Sequence, residues 1–193
     1  MRTILRIIVA VSGASGSVYG LRLIEKLRGN SDVEVHLILS RSGERTMFLE
    51  TGKKAADIRA LAHYSYPNED IGARLASGSF LTHGMVVAPC SIHTMSAIAA
   101  GITDNLITRA ADVTLKERRR LILMVRESPL HLGHLRTMAS LAEMGAILAP
   151  PIPGFYNNPQ SVMDLVDHSV DRVLDLLSLP APDARRWDPG KES

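Results

Sequence analysis

Apolar residues occupy this chain in two alternating patterns. Short runs with few polar members, Ile4 to Val11, Val33 to Leu39, Met85 to Ala88, Leu121 to Val125 and Ala146 to Ala149, alternate with longer stretches in which apolar positions return every three or four residues. The runs predict five strands buried on both faces, because a strand with one wet face would alternate apolar and polar positions. The periodic stretches predict helices. Val18, Leu21, Ile24 and Leu27 mark the first, which stops at Gly29-Asn30. Others are expected over Arg41 to Leu49, Lys53 to Ala62, Ser91 to about Gly101, and His131 to Met144, and one capped by Asp104 or Asn105 runs to about Arg119. The last, Val162 to Leu177, turns Val162, Leu165, Val166, Val170, Val173 and Leu177 inward. Pro89 is expected to break the third strand, and His63 to Phe80 is rich in turn formers and carries no assignable pattern.

Uniformly apolar strands alternating with helices predict an α/β fold: a single-domain parallel sheet with helices on both faces. Residues 1–178 are expected to form that domain, leaving 179–193 as a tail packed on the surface or on a neighbouring subunit. Composition adds limits. The 193 residues are 46% hydrophobic but only 4% aromatic, so the core must be aliphatic. With 22 basic and 20 acidic residues the net charge is +2, which gives no case for nucleic-acid binding. Cys90 is the only cysteine, which excludes a disulfide framework and a cysteine-rich zinc site. No apolar run approaches the roughly 20 residues of a membrane span. A soluble cytoplasmic protein without membrane contact is expected.

In such sheets ligands bind beyond the carboxyl ends of the strands. After the first strand comes Ser12-Gly13-Ala14-Ser15-Gly16, a turn of small residues that opens a helix. Free amides of the first helical turn and the hydroxyls of Ser12, Ser15 and Ser17 would suit a phosphate. The glycine spacing is not G-x-G-x-x-G and there is no Walker lysine, so a plain strand–helix connection stands level with that reading. The other strand ends supply Ser40, Pro89-Cys90-Ser91-Ile92-His93-Thr94, Arg126-Glu127 and Pro150 to Tyr156. Several strand ends rich in hydroxyls, with a guanidinium and a carboxylate, favour a phosphorylated organic ligand. Glu50 by pattern is a solvated helix end. Glu127 is either a surface partner of Arg126 or a carboxylate that moves protons beside phosphate. Lys116 begins a basic run that suits a solvated helix C-terminus, and spacing does not decide whether Arg109 faces a ligand. Cys90 has no histidine placed to activate it, so it reads as a small buried residue. His131 and His134 lie three apart with His93 distant, and no carboxylate completes a zinc set, so no metal is expected.

Taken in order, SGASGSVYGLRL (12 to 23), LETG around Glu50, SGSF (77 to 80), PCSIHT (89 to 94), DNLITRAADVTLKERR (104 to 119), VRESPLHLGHL (125 to 135) and PGFYNNPQS (153 to 161) resemble the UbiX-type flavin prenyltransferases, across nearly the whole chain. The resemblance implies a Rossmann/flavodoxin-like fold and a flavoprotein that transfers dimethylallyl from dimethylallyl phosphate to reduced FMN, at N5 and then C6, for UbiD-type decarboxylases such as that of ubiquinone biosynthesis. It implies a homododecamer and no metal. Carried to matching positions, it assigns FMN contacts to Gly13, Ala14, Ser15, Ser40, Ser91, Ile92, His93, Thr94 and Arg126. It assigns the allyl phosphate to Tyr156, Arg172, Lys116 from an adjacent subunit, and Arg109. Glu127 matches the carboxylate that manages protons at the leaving phosphate, Glu50 and Ser15 match residues near the flavin N5, and Trp187 matches a tail residue that closes the site. His93 stands where several relatives carry lysine. Two other readings remain: an FMN-dependent peptidyl-cysteine decarboxylase, disfavoured because Arg41 to Glu50 lacks a histidine, and a non-catalytic FMN electron carrier, disfavoured by the basic, aromatic-poor composition.

Overall fold

A computed structural model describes residues 4–179 and residue 181. Six strands, β1 (Leu5–Val11), β2 (Val33–Leu39), β3 (Tyr64–Pro67), β4 (Gly84–Cys90), β5 (Arg120–Val125) and β6 (Ile147–Leu148), form one sheet in the order β3-β2-β1-β4-β5-β6. Every neighbouring pair is parallel. Among the described residues six α-helices lie between the strands and a seventh follows the last: α1 (Ser17–Arg28), α2 (Arg41–Thr51), α3 (Ala55–Leu61), α4 (Ile92–Ala99), α5 (Leu106–Lys116), α6 (Leu132–Glu143) and α7 (Val162–Leu176). Among the described residues no helix is long and apolar enough to cross a membrane.

Both faces of the sheet are covered, which is why its strands lack period-two alternation. Ile7, Val9 and Val11 of β1 join a cluster with Leu23 and Ile24 of α1 and Val166 and Val170 of α7. Ile8 and Ala10 join the opposite cluster, with Met95 of α4, Leu106 and Ala110 of α5 and Leu141 of α6. α1 presses against β4 so closely that a Cβ on Gly20 would collide with the Ala88 carbonyl oxygen, so only glycine permits this helix–strand distance. His36 is the polar exception in the sheet, fully buried, with Nε2 2.8 Å from a Glu34 oxygen and Nδ1 3.0 Å from the Tyr66 hydroxyl. Burial depresses its pKa despite the carboxylate.

Four expectations need correction. A sixth strand, β3, lies inside the unassigned segment; it is an edge strand of Tyr-Ser-Tyr-Pro, mostly exposed and too polar to read as a buried run. Pro89 does not break its strand: pairing with β5 resumes at Cys90 after a register shift, the local irregularity that a residue without an N–H requires. α5 stops at Lys116 rather than Arg119, since Arg118 takes a left-handed conformation (φ 57°) that turns the chain into β5. Val162 is 75% exposed, because the first turn of α7 stands clear of the core. Trp187 and most of the expected tail lie outside the described residues.

The order of the strands reverses direction between β1 and β4, since the chain winds outward from β1 to β3 and then restarts on the other side. The loops that leave β1 and β4 therefore part in opposite directions and open a crevice at their carboxyl ends.

Candidate active site

Hydrogen bonds join the strand-end loops into one edge. Ser12 Oγ, buried at the crevice, donates to Pro89 O (2.7 Å) and accepts from Ser91 N (2.8 Å), tying the end of β1 to that of β4. Ser40 N and Oγ both donate to Val11 O, at 3.1 and 3.2 Å, tying β2 to β1. Thr46 Oγ1 donates to Gly13 O at 3.1 Å, and Arg126 Nε donates to Ser15 O at 3.2 Å, so the guanidinium from the end of β5 reaches across β4 to the first turn.

Among the helices that begin on this edge, the N-termini of α1, α2 and α4 differ. At α1 the anion is the chain's own: Glu50, in the last turn of α2, accepts from Gly16 N (3.0 Å), Ser17 N (2.8 Å) and Ser17 Oγ (2.6 Å). Partial burial pushes the Glu50 pKa up, but hydrogen bonds from the Ser15 and Ser17 hydroxyls and the Ser17 and Gly16 amides outweigh it, and the net shift is downward. Glu50 is thus exposed, as a helix end would be, but it is also bound and ionised: the Ser17 hydroxyl donates to it at 2.6 Å. At α2 the cap is Ser40, whose hydroxyl accepts from Gly43 N at 3.0 Å. At α4 the cap is Ser91, with Thr94 N at 3.3 Å and Thr94 Oγ1 at 3.1 Å from its hydroxyl, and no side chain of the described residues is recorded on the Ile92 or His93 amides. His93 is exposed there. A helix start with amides aimed along its axis, hydroxyls beside it and Arg126 on the same edge is suited to an organic phosphate.

Further polar residues follow β5 and β6. Glu127 is exposed and accepts from Ser128 N (3.0 Å). Tyr156, 53% exposed, places its hydroxyl 2.8 Å from His168 Nε2, with the rings edge to face at 5.4 Å. Arg172, one turn beyond His168 on α7, pairs with Asp175 at 3.0 Å and lines a cavity of about 110 Å³ with His168, Pro150, Pro151 and Ile152. A larger hollow of about 780 Å³ between α1 and α7 includes His168 and is crossed by the ion pairs Arg22–Asp167 (2.6 Å) and Lys26–Asp171 (2.5 Å); it lies beside the helices rather than in the strand-end crevice. His168 escaped the sequence reading. Its signal was its i,i+4 spacing to Arg172 on one helix face.

Two expected members are not brought to this edge within one chain. Lys116 ends α5 just before β5 begins, pairs with Glu117 and lies against Gly78, at the rim where strands start. Arg109 pairs with Asp112 at 2.7 Å on α5, across the sheet from Arg172. Cys90 is fully buried, and desolvation pushes its thiol up to about 12, as suits a packing residue. The His131 and His134 rings stack at 3.5 Å, and His131 Nδ1 accepts from His134 N at 3.3 Å as the cap of α6.

Comparisons with known proteins bear on this arrangement. The Flavoprotein family model matches residues 1–174. A probable UbiX-like flavin prenyltransferase from Streptomyces sp. (strain D7) is 52% identical over 95% of this chain and 92% of its own length. Flavin prenyltransferase UbiX of Escherichia coli K12 is 51% identical over 94% and 97%. Among solved structures, a dodecameric FMN-dependent UbiX-like decarboxylase from E. coli O157:H7 superposes with a TM-score of 0.94 at 47% identity, covering 95% of this chain and all of that one. AnUbiX (PadA1), in complex with FMN and dimethylallyl pyrophosphate, superposes with a TM-score of 0.95 at 45% identity, covering 97% of this chain and 100% of that one.

Proposed function

The chain belongs to the Flavoprotein family and, within it, to the UbiX-type flavin prenyltransferases, and we propose that it transfers the dimethylallyl group of dimethylallyl phosphate to reduced FMN. What carries this reading is the single strand-end edge, on which the α4 N-terminus with Arg126 and the separate Tyr156–His168–Arg172 group give two phosphates two different places. FMN supplies the N5 nitrogen that takes the allyl carbon and the C6 carbon that closes the new ring.

The donor set fits the flavin phosphate. Ser91, Ile92, His93 and Thr94 offer helix-start amides and hydroxyls, and Arg126 offers a guanidinium. Gly13, Ala14 and Ser15 lie between β1 and α1, where Arg126 reaches Ser15 O and Ser40 ties β2 to the end of β1, and they would contact the flavin. Glu50 and Ser15 would offer a negative charge and a hydroxyl to the N5 side of a bound flavin. On the donor side, heterolysis leaves an allyl cation and a phosphate anion. Tyr156 and Arg172 hold the departing phosphate and Glu127 manages its proton. Lys116 and Arg109 serve this phosphate from a neighbouring copy, because in their own chain they stand away from it. That copy would also cover Ile152, Phe155, Val162 and Met163, apolar side chains exposed around Tyr156, and so keep water from the cation. A homododecamer meets this need. The reaction requires no metal, takes place in the cytoplasm, and yields prenylated FMN for a UbiD-type decarboxylase.

Peptidyl-cysteine decarboxylation and electron carriage are the alternatives, and one experiment separates all three. Reduced FMN-protein incubated with dimethylallyl phosphate should release a flavin heavier by one prenyl unit in a mass spectrum. Glu127→Gln should stay yellow with bound FMN and lose at least about a hundredfold in product rate. Full turnover in that variant removes Glu127 from the mechanism, and unaltered flavin from the native protein removes the function.

A further inference from the structure

The last turn of α5 closes on itself. Arg118 takes a left-handed conformation (φ 57°), its N–H donates to Leu115 O at 2.9 Å, and the Arg119 N–H donates to Thr114 O at 2.9 Å. The backbone of Arg119 is thereby fastened to the turn that carries Lys116. Its side chain fastens something else. Nη2 donates to Gly78 O at 2.6 Å and Nη1 to Phe80 O at 2.9 Å, so one planar fork holds two carbonyls of the turn 77–80 that precedes β4. That turn lies against Lys116: a Cβ added to Gly78 would come within 2.9 Å of Lys116 Nζ and would collide with the Glu117 carboxylate that pairs with it. We infer that Arg119 is a positioning residue for the prenyl-donor phosphate: by pinning the 77–80 turn against the end of α5, it aims the Lys116 ammonium out of its own chain, toward the site of a neighbouring copy.

This rests on the role given to Lys116 in the function proposed above. A lysine that binds an anion must give up the rotamer freedom of four carbons. Here part of that freedom is already gone, because Gly78 walls Lys116 on one side and Glu117 holds its head, while the side chain stays 47% exposed on the other. Arg119 does not take the anion itself. It is half-buried behind the turn, with its guanidinium spent on carbonyl oxygens. Removing it frees the turn, and with the turn the wall that directs Lys116.

The test uses the assembled, FMN-loaded enzyme. In Arg119→Met the Michaelis constant for dimethylallyl phosphate should rise about tenfold, the loss of roughly one hydrogen bond to a charged ligand, with kcat within about threefold and FMN affinity unchanged. Gly78→Ala leaves the guanidinium in place and displaces the Lys116–Glu117 pair directly, so the same constant should rise there too. Mixed oligomers then show which half of the site Arg119 serves. Two differently tagged variants are co-expressed, purified through both tags and assayed at low dimethylallyl phosphate. If each site draws Glu127 from one copy and Lys116 from the next, Lys116→Met mixed with Glu127→Gln leaves about a quarter of the sites native. Arg119→Met mixed with Glu127→Gln should likewise recover about a quarter of the native rate, where mere averaging of the two defects gives about one twentieth. Arg119→Met mixed with Lys116→Met should not recover, since both damage the same half. A structural role alone would lower stability or assembly without respecting this grouping. No recovery for Lys116→Met with Glu127→Gln refutes the role given to Lys116, and the inference falls with it. Recovery in that pair but not in Arg119→Met with Glu127→Gln, or recovery of Arg119→Met with Lys116→Met, overturns the inference alone. Should Arg119→Met fail to assemble, Gly78→Ala takes its place in the same pairings, and a native Michaelis constant in that variant overturns the inference.

Discussion

The N-termini of α1 and α4 start on the same edge, a strand apart, and follow turns of similar small-residue composition. They are used in opposite ways. α1 receives a carboxylate from its own chain: Glu50 is bound by the Gly16 and Ser17 amides and the Ser17 hydroxyl, and is held ionised. α4 receives a neutral cap, Ser91, and leaves the rest of its first turn facing the crevice with Arg126 nearby. A helix start attracts negative charge wherever it lies. Whether it becomes a ligand site depends on whether a side chain of the protein arrives first. Here one corner already holds a carboxylate of the chain, and the other offers its first turn to the crevice.

This contrast can be broken by experiment. The largest effect is expected from Gly20→Ala. Its methyl group meets the Ala88 carbonyl, forces α1 off β4 and pulls apart the edge that both corners share, at a cost of about 3 kcal/mol in the unfolding free energy measured by urea denaturation. A variant as stable as the native protein would show that α1 is free to shift. Next comes Ser91→Asp, which gives α4 the kind of carboxylate α1 already has. FMN affinity measured by fluorescence quenching should fall about thirtyfold, or roughly 2 kcal/mol. Unchanged affinity would move the flavin phosphate elsewhere. The smallest effect belongs to Glu50→Gln. FMN affinity should stay within about threefold, since that corner does not hold the phosphate, while stability drops by about 1 kcal/mol for the weakened cap. Because folding lowers the Glu50 pKa, its contribution is complete above the unfolded value near 4.5 and disappears as pH falls through the folded value. Native and Glu50→Gln denaturation midpoints should therefore converge in acid; a gap that persists there would mean the charge is not what holds the corner.

The sequence reading went furthest where periodicity is local. The central strands β1, β2, β4 and β5 announced themselves as apolar runs, and most helices began and ended within a few residues of their predicted bounds. β3 escaped because an exposed edge strand of tyrosine and serine has no apolar run to display. At the site, the strand-end residues Ser12, Ser40, Ser91 and Arg126 were legible because a parallel sheet collects all such loops on one side. Glu50 looked like a solvated helix end because nothing near it in sequence binds it; its partners Gly16 and Ser17 lie 34 and 33 residues away. Lys116 and Arg109 show the converse, since the motif that carries them sits where this single chain does not bring them to Tyr156.

By itself the amino-acid order determined a parallel α/β sheet covered on both faces, the rim on which chemistry would collect, and through its long motifs the prenyltransferase kinship. Those follow from which residues avoid water and at what spacing, and both are written along the chain. Tertiary structure alone decided that β1 and β4 adjoin at the point of reversal, that Glu50 closes one helix start while α4 stays open, and that His168 backs Tyr156. Each of these depends on strand order and helix placement, which bring groups far apart in sequence to hydrogen-bond distance. No local pattern encodes that distance, because each segment keeps its own periodicity whichever neighbour it packs against.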